Sequence, residues 1–277
     1  MTKILYVSPV GTSLLQNFFK DTLSQKYIER YRKYNPPNWY RLSPDDPLNK
    51  PPDGLICRLN EDFYNDLLEF ARRDPRKSSA ELNGLLGIRE KNHHNPVDVE
   101  VLLYNSNTCN SRLCSSVIGE VLKDLGFNIV KVEITSLSSI EYFDDSMIDI
   151  LDKVVSKIVD ARKHNKIIYI NATPGFKAET TFFVLASIIA GADSIAYIHE
   201  AFKEIIELPI PPLQIDRDLM NEINKLYGNE ECLETGLVKK NIGDIVVDRL
   251  TRMGVFHSKG NLICIREWIK KLLEIIS

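Results

Sequence analysis

The sequence has no strong excess of charge of either sign. Its 277 residues include 35 Lys and Arg against 38 Asp and Glu, which gives a formal net charge of −3. A field this weak does not draw a whole protein to nucleic acid or to an anionic membrane surface. Any polyanion must therefore be recognised by a local site.

Long uncharged runs and cysteine motifs are also missing. No uncharged apolar run reaches the ~20 residues that cross a bilayer, and no signal peptide is recognised ahead of the first strand. The five cysteines are an odd number without a CxxC pair. This pattern predicts reduced thiols rather than a disulfide framework, and we expect a cytoplasmic protein that contacts no membrane.

Motifs of several well-known catalytic sites are absent. No GxGxxG or GxxxxGK[ST] stretch follows the first predicted strand, which excludes the usual dinucleotide and P-loop sites. There is no GxSxG motif, and the five histidines form neither HExxH nor a zinc-like spacing with cysteine. His199, at the end of a predicted strand, is interpreted as structural. We therefore expect no metal and no cofactor.

The chain does contain an alternation of buried strands and amphipathic helices over residues 1–208. The strand "KILYVS" opens this pattern, and the strand "KIIYIN" precedes an apolar helix near its end. The alternation predicts an α/β domain with an open, mainly parallel, doubly wound sheet. A proline-rich segment, 35–54, interrupts it and is predicted to be irregular.

A stiff "LPIPP" connector leads to a second predicted domain, residues 213–277. Two helices, a short hairpin with a turn at "SKGN" and a final helix follow one another there, an order typical of a winged helix-turn-helix module. This region has ten basic and ten acidic residues and is neutral. DNA-binding modules concentrate positive charge, so DNA binding by this domain is not expected.

Three polar loops follow predicted strands at the edge where open parallel sheets bind ligands. Each loop supplies backbone N–H groups, small hydroxyl or amide donors and a small residue, which together suit a phosphate group. The candidate residues are Gly11, Thr12 and Ser13 in the first loop, Asn105, Ser106, Asn107, Thr108 and Arg112 in the second, and Asn171, Thr173, Gly175, Phe176 and Lys177 in the third.

Lys177 poses an electrostatic problem, because it falls in the first turn of a predicted helix, where free N–H groups and the dipole disfavour a cation. The mismatch becomes complementarity when a phosphate binds, since ammonium and N–H groups then face the same anion. Simpler interpretations stay open. Ser13 is also explained as a helix cap, the Asn/Ser loop as turn chemistry, and Lys177 as a side chain that extends into water.

The stretches "GTS", "NSNTCNSR" and "ATPGFKAE", each after a strand, together resemble a CARF domain, the Rossmann-like sensor of cyclic oligoadenylates in type III CRISPR immunity. The pair "GTS" and "GFKAE" is similar to the first described class of CRISPR ring nucleases, which degrade cyclic tetra-adenylate. The likeness covers about residues 2–208. One departure is the middle loop, which reads "SNT" where relatives often have Ser-Asp-Thr. Asn107 thereby removes an anion from the presumed phosphate pocket.

The resemblance implies that Ser13 and Lys177 are catalytic, that Arg112 contacts the ring, and that a homodimer holds cyclic tetra-adenylate between two copies of the loops. A ribose 2′-OH then attacks its own 3′-phosphate in line and opens the ring to linear di-adenylate with a 2′,3′-cyclic phosphate. We expect a slow antiviral enzyme that needs no metal. The second domain is expected to extend the dimer interface or to cover the ring.

Two other functions compete with this one. The chain would be a transcription regulator if the first domain sensed cyclic oligoadenylate and the second bound DNA, which a mobility-shift assay with and without the ring would reveal. It would be a ring-activated ribonuclease if Arg252 and His257 in "RMGVFH" formed a catalytic pair. RNA cleavage that depends on added ring would support that third interpretation.

Overall fold

A computed structural model describes residues 3–59, 61–134, 143–175, 177–198, 204–210 and 216–276. The chain divides into two compact units, Met1–Pro211 and Pro212–Ser277. His199 and Phe176 lie outside the described residues. Within those residues, no helix is both long and apolar enough to span a membrane.

The first unit is built on a six-stranded sheet. Its strands are β1 (Ile4–Val10), β2 (Val99–Ser106), β3 (Asn128–Ile134), β4 (Ile167–Asn171), β5 (Ser194–Ile198) and β6 (Ile205–Leu208). They lie in the order β3-β2-β1-β4-β5-β6, and only β6 runs antiparallel to its neighbour. The mainly parallel α/β sheet that the sequence predicts is therefore confirmed. Strand order reverses between β1 and β4, and such a reversal is where open α/β sheets bind ligands.

Both faces of this sheet are covered, as the unbroken burial of β1 requires. Tyr6 packs into the same core as Val101 on one face. On the other face, Tyr104 of β2 meets the ring of Phe183 edge-on, with centroids 4.9 Å apart. Continuous apolar strands of this kind are typical of parallel sheets sandwiched between helices.

The helices of the first unit fall largely where the apolar periodicity places them. They are α1 (Ser13–Lys20), α2 (Gln25–Ile28), α3 (Leu55–Arg58), α4 (Glu61–Arg73), α5 (Pro75–Ser78), α6 (Ala80–Lys91), α7 (Cys109–Asp124), α8 (Phe143–Ile150), α9 (Ser156–Lys163) and α10 (Lys177–Ile189). A π-helical turn, Leu151–Val155, links α8 to α9. Short 3₁₀ turns occupy Thr22–Ser24, Glu29–Tyr34, Pro36–Arg41 and Pro96–Asp98.

The amphipathic run "LLQNFFKDTLSQKYIERYRKY" after β1 predicts a helix, which the structure confirms as far as Lys20. Helix α1 stops at Lys20 because Asp21 leaves the helical region of backbone space, with φ −75° and ψ 124°. The Asp21 carboxylate accepts hydrogen bonds from Ser24 at 2.8 Å and from Arg73 at 2.6 Å. These side-chain bonds offer the chain an alternative to the next helical turn.

The proline-rich segment 35–54 lacks a regular α-helix, as predicted, but it is packed into the core. Trp39 is only 1% exposed, and its ring lies edge-on to Phe63 with centroids 5.2 Å apart. The Asn49 side chain accepts a hydrogen bond from the N–H of Asn110 at 2.9 Å. The segment is thereby fixed against the start of α7.

The prediction of reduced thiols is wrong for four of the five cysteines. Disulfides join Cys57 to Cys109 and Cys232 to Cys264, while Cys114 is free and buried. Spacing along the chain could not reveal these pairs, because 52 and 32 residues separate the partners. The first disulfide adds a covalent bond between α3, which follows the proline-rich segment, and the start of α7.

Thiol counting should reproduce this pairing. We expect one reactive thiol when the protein is unfolded in denaturant without reductant, and five after reduction. Reduction of Cys57–Cys109 should destabilise the first unit by about 4 kcal/mol on the chain-entropy model, since the bond closes a long loop. A titration with a thiol reagent and a thermal melt measure both. Five thiols without reductant would contradict the pairing.

Over its described residues, 216–276, the second unit combines four helices with a small antiparallel sheet. Its elements are α11 (Arg217–Tyr227), β7 (Cys232–Glu234), α12 (Thr235–Ile242), α13 (Asp244–Arg252), β8 (Phe256–Lys259), β9 (Leu262–Ile265) and α14 (Glu267–Ile276). The predicted hairpin is confirmed as β8 and β9. A helix is predicted within "KKNIGDIVVDRLTRMG", and α13 confirms it; α12 ends just before it at Gly243, which has a φ of +87°.

Candidate functional site

A pocket of about 510 Å³ lies beyond the carboxyl ends of β1, β2 and β4, at the reversal of strand order. All three polar loops contribute to it, together with the proline-rich segment and the starts of α6 and α10. Its lining comprises Pro9, Val10, Gly11, Thr12, Ser13, Gln16, Tyr40, Arg41, Leu42, Pro44, Asn49, Ala80, Glu81, Tyr104, Asn105, Ser106, Thr108, Ser111, Thr173, Pro174, Gly175, Glu179 and Thr180.

The structure brings together most of the residues that the sequence singles out, but not all of them. Eight candidates line the pocket: Gly11, Thr12, Ser13, Asn105, Ser106, Thr108, Thr173 and Gly175. Four described candidates are absent from the lining: Asn107, Arg112, Asn171 and Lys177. Asn107 Oδ1 is buried without a hydrogen-bond partner among the described residues.

Ser13 does not cap the helix in which it lies. The N-cap of α1 is Thr12, and no side chain bonds to the N–H groups there. Instead, Ser13 Oγ donates a hydrogen bond to Oε2 of Glu81 at 2.6 Å and accepts one from the N–H of Ala80 at 2.9 Å. Ser13 therefore connects the first loop to the start of α6.

Glu81 is the site residue that sequence reasoning missed. Its carboxylate is fully buried. It accepts a hydrogen bond from the N–H of Gly11 at 2.8 Å and another from the hydroxyl of Ser13. In the sequence it follows the cap residue Ser79, whose Oγ accepts from the N–H of Leu82, so it resembles any acidic residue in a first helical turn. Only the fold shows that its side chain reaches the first loop.

The backbone N–H groups of the second loop donate hydrogen bonds to other groups of the protein. The N–H of Cys109 donates to the carbonyl of Asn49 at 2.8 Å, and Thr108 Oγ1 accepts from the N–H of Ser111 at 3.3 Å. Ser106 Oγ donates to Ser111 Oγ at 3.0 Å. The predicted supply of free amides at this helix start is thus largely used up. The loop offers the pocket hydroxyl groups instead.

Asn171 is a structural residue of the third loop. Its side chain is fully buried, and its Nδ2 donates to Ser8 Oγ at 3.0 Å and to the carbonyl of Glu81 at 3.3 Å. These bonds join the ends of β4 and β1 to α6. An amide that is buried and bonded in this way has no donor left for a ligand.

Two glycines let the first and third loops meet. Gly175 has a φ of +102°, and a Cβ there would lie 2.7 Å from Thr180 Oγ1 and 3.1 Å from Pro9 Cβ. A Cβ on Gly11 would lie 3.6 Å from the backbone N of Gly175. A side chain at position 175 would be both strained and too close to β1, so glycine is required there.

Lys177 begins α10, as predicted, and its side chain is exposed to solvent. It precedes Glu179 and Thr180, which line the pocket from the first turn of the same helix. The expected convergence of the lysine on the pocket is therefore not present within this chain alone. A ligand that extends from the pocket over the start of α10 would meet the ammonium.

Two carboxylates make the pocket less positive than the loop sequences indicate. Glu81 and Glu179 both line it, while Arg41 is the one basic residue among its described lining. The Arg41 guanidinium lies 5.2 Å from the ring centroid of Tyr40, at the wall formed by the proline-rich segment. Asn107, which stands where relatives often have an acidic residue, is not part of the lining, so both carboxylates of the pocket come from other elements.

Burial raises the pKa of the Glu179 carboxyl, although Ser146 Oγ donates a hydrogen bond to it at 2.9 Å. The folded state therefore binds this proton more tightly than the unfolded state does. The contribution of Glu179 to the free energy of unfolding is present at low pH. That contribution is lost as the pH rises from the ordinary pKa of glutamate, about 4.3, through the raised pKa in the folded protein.

The variant Glu179→Gln should remove that loss. We expect its melting temperature to match the wild type near pH 4 and to exceed it increasingly toward pH 8. Thermal melts across this pH range measure the difference, with Glu90→Gln on the exposed side of α6 as control. A constant difference between variant and wild type at all pH values would contradict this account.

In the part of the chain that the structure describes, no three His, Cys, Asp or Glu side chains are grouped to hold a metal ion. The chemistry on offer is instead that of hydroxyls, amides and two carboxylates around a concave surface. Such a pocket suits a ligand that brings hydrogen-bond donors.

Residues 76–211 match the family model described as CRISPR-associated protein (Cas_APE2256). The match spans slightly less than half of the chain and includes α6 with Glu81, the second and third loops, and Lys177. It supports a CRISPR-associated protein.

Proposed function

We propose that this protein is a ring nuclease of type III CRISPR immunity, which binds cyclic tetra-adenylate and cleaves it to linear di-adenylate. The observation that carries the proposal is the pocket at the strand-order reversal, to which all three motif-bearing loops contribute. The match of residues 76–211 to the CRISPR-associated family model includes two of these loops and supports only the CRISPR association in this proposal.

A homodimer is the proposed functional unit. The pocket volume of about 510 Å³ is in the range for one drug-sized ligand, whereas a ring of four nucleotides is considerably larger. A two-fold symmetric ring matches an interface in which each copy supplies one pocket. The two pockets together would then hold the four phosphates.

The proposed reaction is a transesterification within the substrate. A ribose 2′-OH held in line with its 3′-phosphate attacks phosphorus, the bond to the 5′-oxygen breaks, and a 2′,3′-cyclic phosphate forms. Since the nucleophile belongs to the substrate, alignment alone supplies a large part of the rate, and no metal is required. Lys177 would stabilise the charge that develops on the phosphoryl oxygens.

The two carboxylates indicate the basis on which the pocket would select this ring over other anions. With Glu81 and Glu179 present, phosphate alone gains little from the pocket, so ribose hydroxyls and adenine must supply recognition. Hydroxyl groups of Ser106 and Thr108 and the amide of Asn105 line the same surface. Inorganic phosphate, which has neither ribose nor adenine, should therefore compete weakly.

Incubation of the protein with labelled cyclic tetra-adenylate in EDTA tests the proposal. We expect linear products that end in a 2′,3′-cyclic phosphate, formed slowly and at the same rate with added magnesium. Cyclic hexa-adenylate and linear tetra-adenylate serve as substrate controls. An intact ring after prolonged incubation with excess protein would overturn the proposed activity. Size measurement with and without the ring tests the dimer.

A further inference from the structure

The hydroxyl of Ser13 is the group from which a further inference follows. A serine hydroxyl has one proton to donate and two lone pairs to accept with. Ser13 Oγ donates its proton to Glu81 Oε2 at 2.6 Å, and one of its lone pairs accepts a hydrogen bond from the N–H of Ala80 at 2.9 Å. One lone pair is left on the hydroxyl of this residue, and Ser13 lines the pocket.

Toward a ligand, Ser13 is therefore an acceptor. The oxygens of a phosphodiester are acceptors as well and gain nothing from such a group. A ribose 2′-OH is a donor and fits it. The burial of Glu81 fixes this direction, because turning the Ser13 proton toward the pocket would break the 2.6 Å hydrogen bond and leave a fully buried oxygen without its donor.

We propose that Glu81 is a positioning residue that makes the Ser13 hydroxyl the acceptor of the attacking 2′-OH. This inference rests on the proposed function. As the 2′-oxygen bonds to phosphorus, its proton passes to Ser13 Oγ, whose own proton passes to Glu81 Oε2. The bond from phosphorus to the 5′-oxygen breaks, and that oxygen takes a proton from water. Glu81, which is fully buried, returns its proton through Ser13 Oγ to the hydroxide that this leaves. No oxidant, metal or other reactant is needed.

Glu81 also holds the N–H of Gly11 at 2.8 Å, so a purely structural role must be separated from this one. The variant Glu81→Gln is suited to that purpose. Its amide oxygen still accepts from Gly11, but its NH₂ group donates to Ser13 and turns the serine proton toward the pocket. The loop keeps its bonds while the polarity of Ser13 is reversed.

The first test is a double-mutant cycle in single-turnover cleavage of cyclic tetra-adenylate. We expect Glu81→Gln to slow cleavage by about 10²-fold and Ser13→Ala to do the same. Because Glu81 acts through Ser13, adding Glu81→Gln to Ser13→Ala should cost no more than about twofold further. Glu90→Gln, on the exposed side of the same helix, is the matched control and should cleave like the wild type.

Two outcomes of the cycle would overturn the inference. One is cleavage by Glu81→Gln at the wild-type rate. The other is a loss in the double variant equal to the product of the two single losses, since Glu81 would then act independently of Ser13. Melting temperatures of all variants show whether each one folds.

A binding measurement decides the matter even if Glu81→Gln does not fold. The wild type should bind the ring about fivefold more tightly than its 2′-deoxy analogue, because the analogue lacks the donor for Ser13. Ser13→Ala should lose this preference. Equal affinity of the wild type for the two rings would overturn the role of Ser13 as acceptor. A wild type that neither binds nor cleaves either ring would instead overturn the proposed function.

Discussion

Replacing Lys177 by alanine should slow cleavage of cyclic tetra-adenylate by about 10²- to 10³-fold, the usual effect of removing a group that stabilises charge in the transition state. Ring affinity should change far less, because the exposed lysine gives little in the ground state. Lys177 is the first residue of α10, so a phosphoryl group bound at this helix start would meet the ammonium as well as the helix N–H groups.

Single-turnover rates and equilibrium binding, measured separately, test this expectation. Lys123→Ala, an exposed lysine near the end of α7, is the control for loss of one surface charge. If Lys177→Ala binds the ring and cleaves it at the full rate, Lys177 is not catalytic. If it loses binding and cleavage to the same extent, the lysine acts in recognition rather than in the chemical step.

Gly84→Ala should be among the most damaging single substitutions for stability. A Cβ on Gly84 would lie 2.6 Å from Cγ of the fully buried Asn171, a distance that real side chains do not tolerate. Asn171 cannot move without breaking its bonds to Ser8 and to the carbonyl of Glu81. We expect a loss of about 3 kcal/mol, from overpacking and from buried polar groups left without partners.

Thermal or denaturant unfolding measures this loss, which corresponds to a drop in melting temperature of roughly 10 °C. Gly236→Ala in α12 is the matched control, because no described heavy atom lies within 4 Å of the Cβ that it adds. Helix propensity should make that control neutral or slightly stabilising. A Gly84→Ala variant as stable as the wild type would show that β4 and α6 separate easily, and would weaken the structural role assigned to Asn171.

The candidate loops were predictable from sequence because they combine two local signals. Each one places small polar residues directly after an apolar strand, and parallel strands end at a common edge of their sheet. Ser13, Asn105 and Thr173 accordingly line one pocket although they are far apart in the chain. Fold class follows from the same alternation of strands and helices, for which local patterns suffice.

The sequence alone was a poor guide to the partners of these residues. Asn171 and Thr173 are both small polar residues in one loop, yet the first is fully buried and bonded to the protein, while the second lines the pocket. Glu81 looked like an ordinary acidic residue in a first helical turn. Whether a side chain is bonded internally or faces a ligand depends on what the other elements place beside it.

What the sequence by itself determined is the order of elements, the mainly parallel sheet and the three polar loops, since these follow from local composition and from the periodicity of apolar residues. Three features were decided by the tertiary structure alone: Ser13 donates a hydrogen bond to Glu81, the proline-rich segment lines the pocket, and Cys57 forms a disulfide with Cys109. These contacts join residues about 50 to 70 positions apart, and no local pattern encodes them. They exist because packing of the core around Trp39 and Phe63 brings distant segments to one end of the sheet.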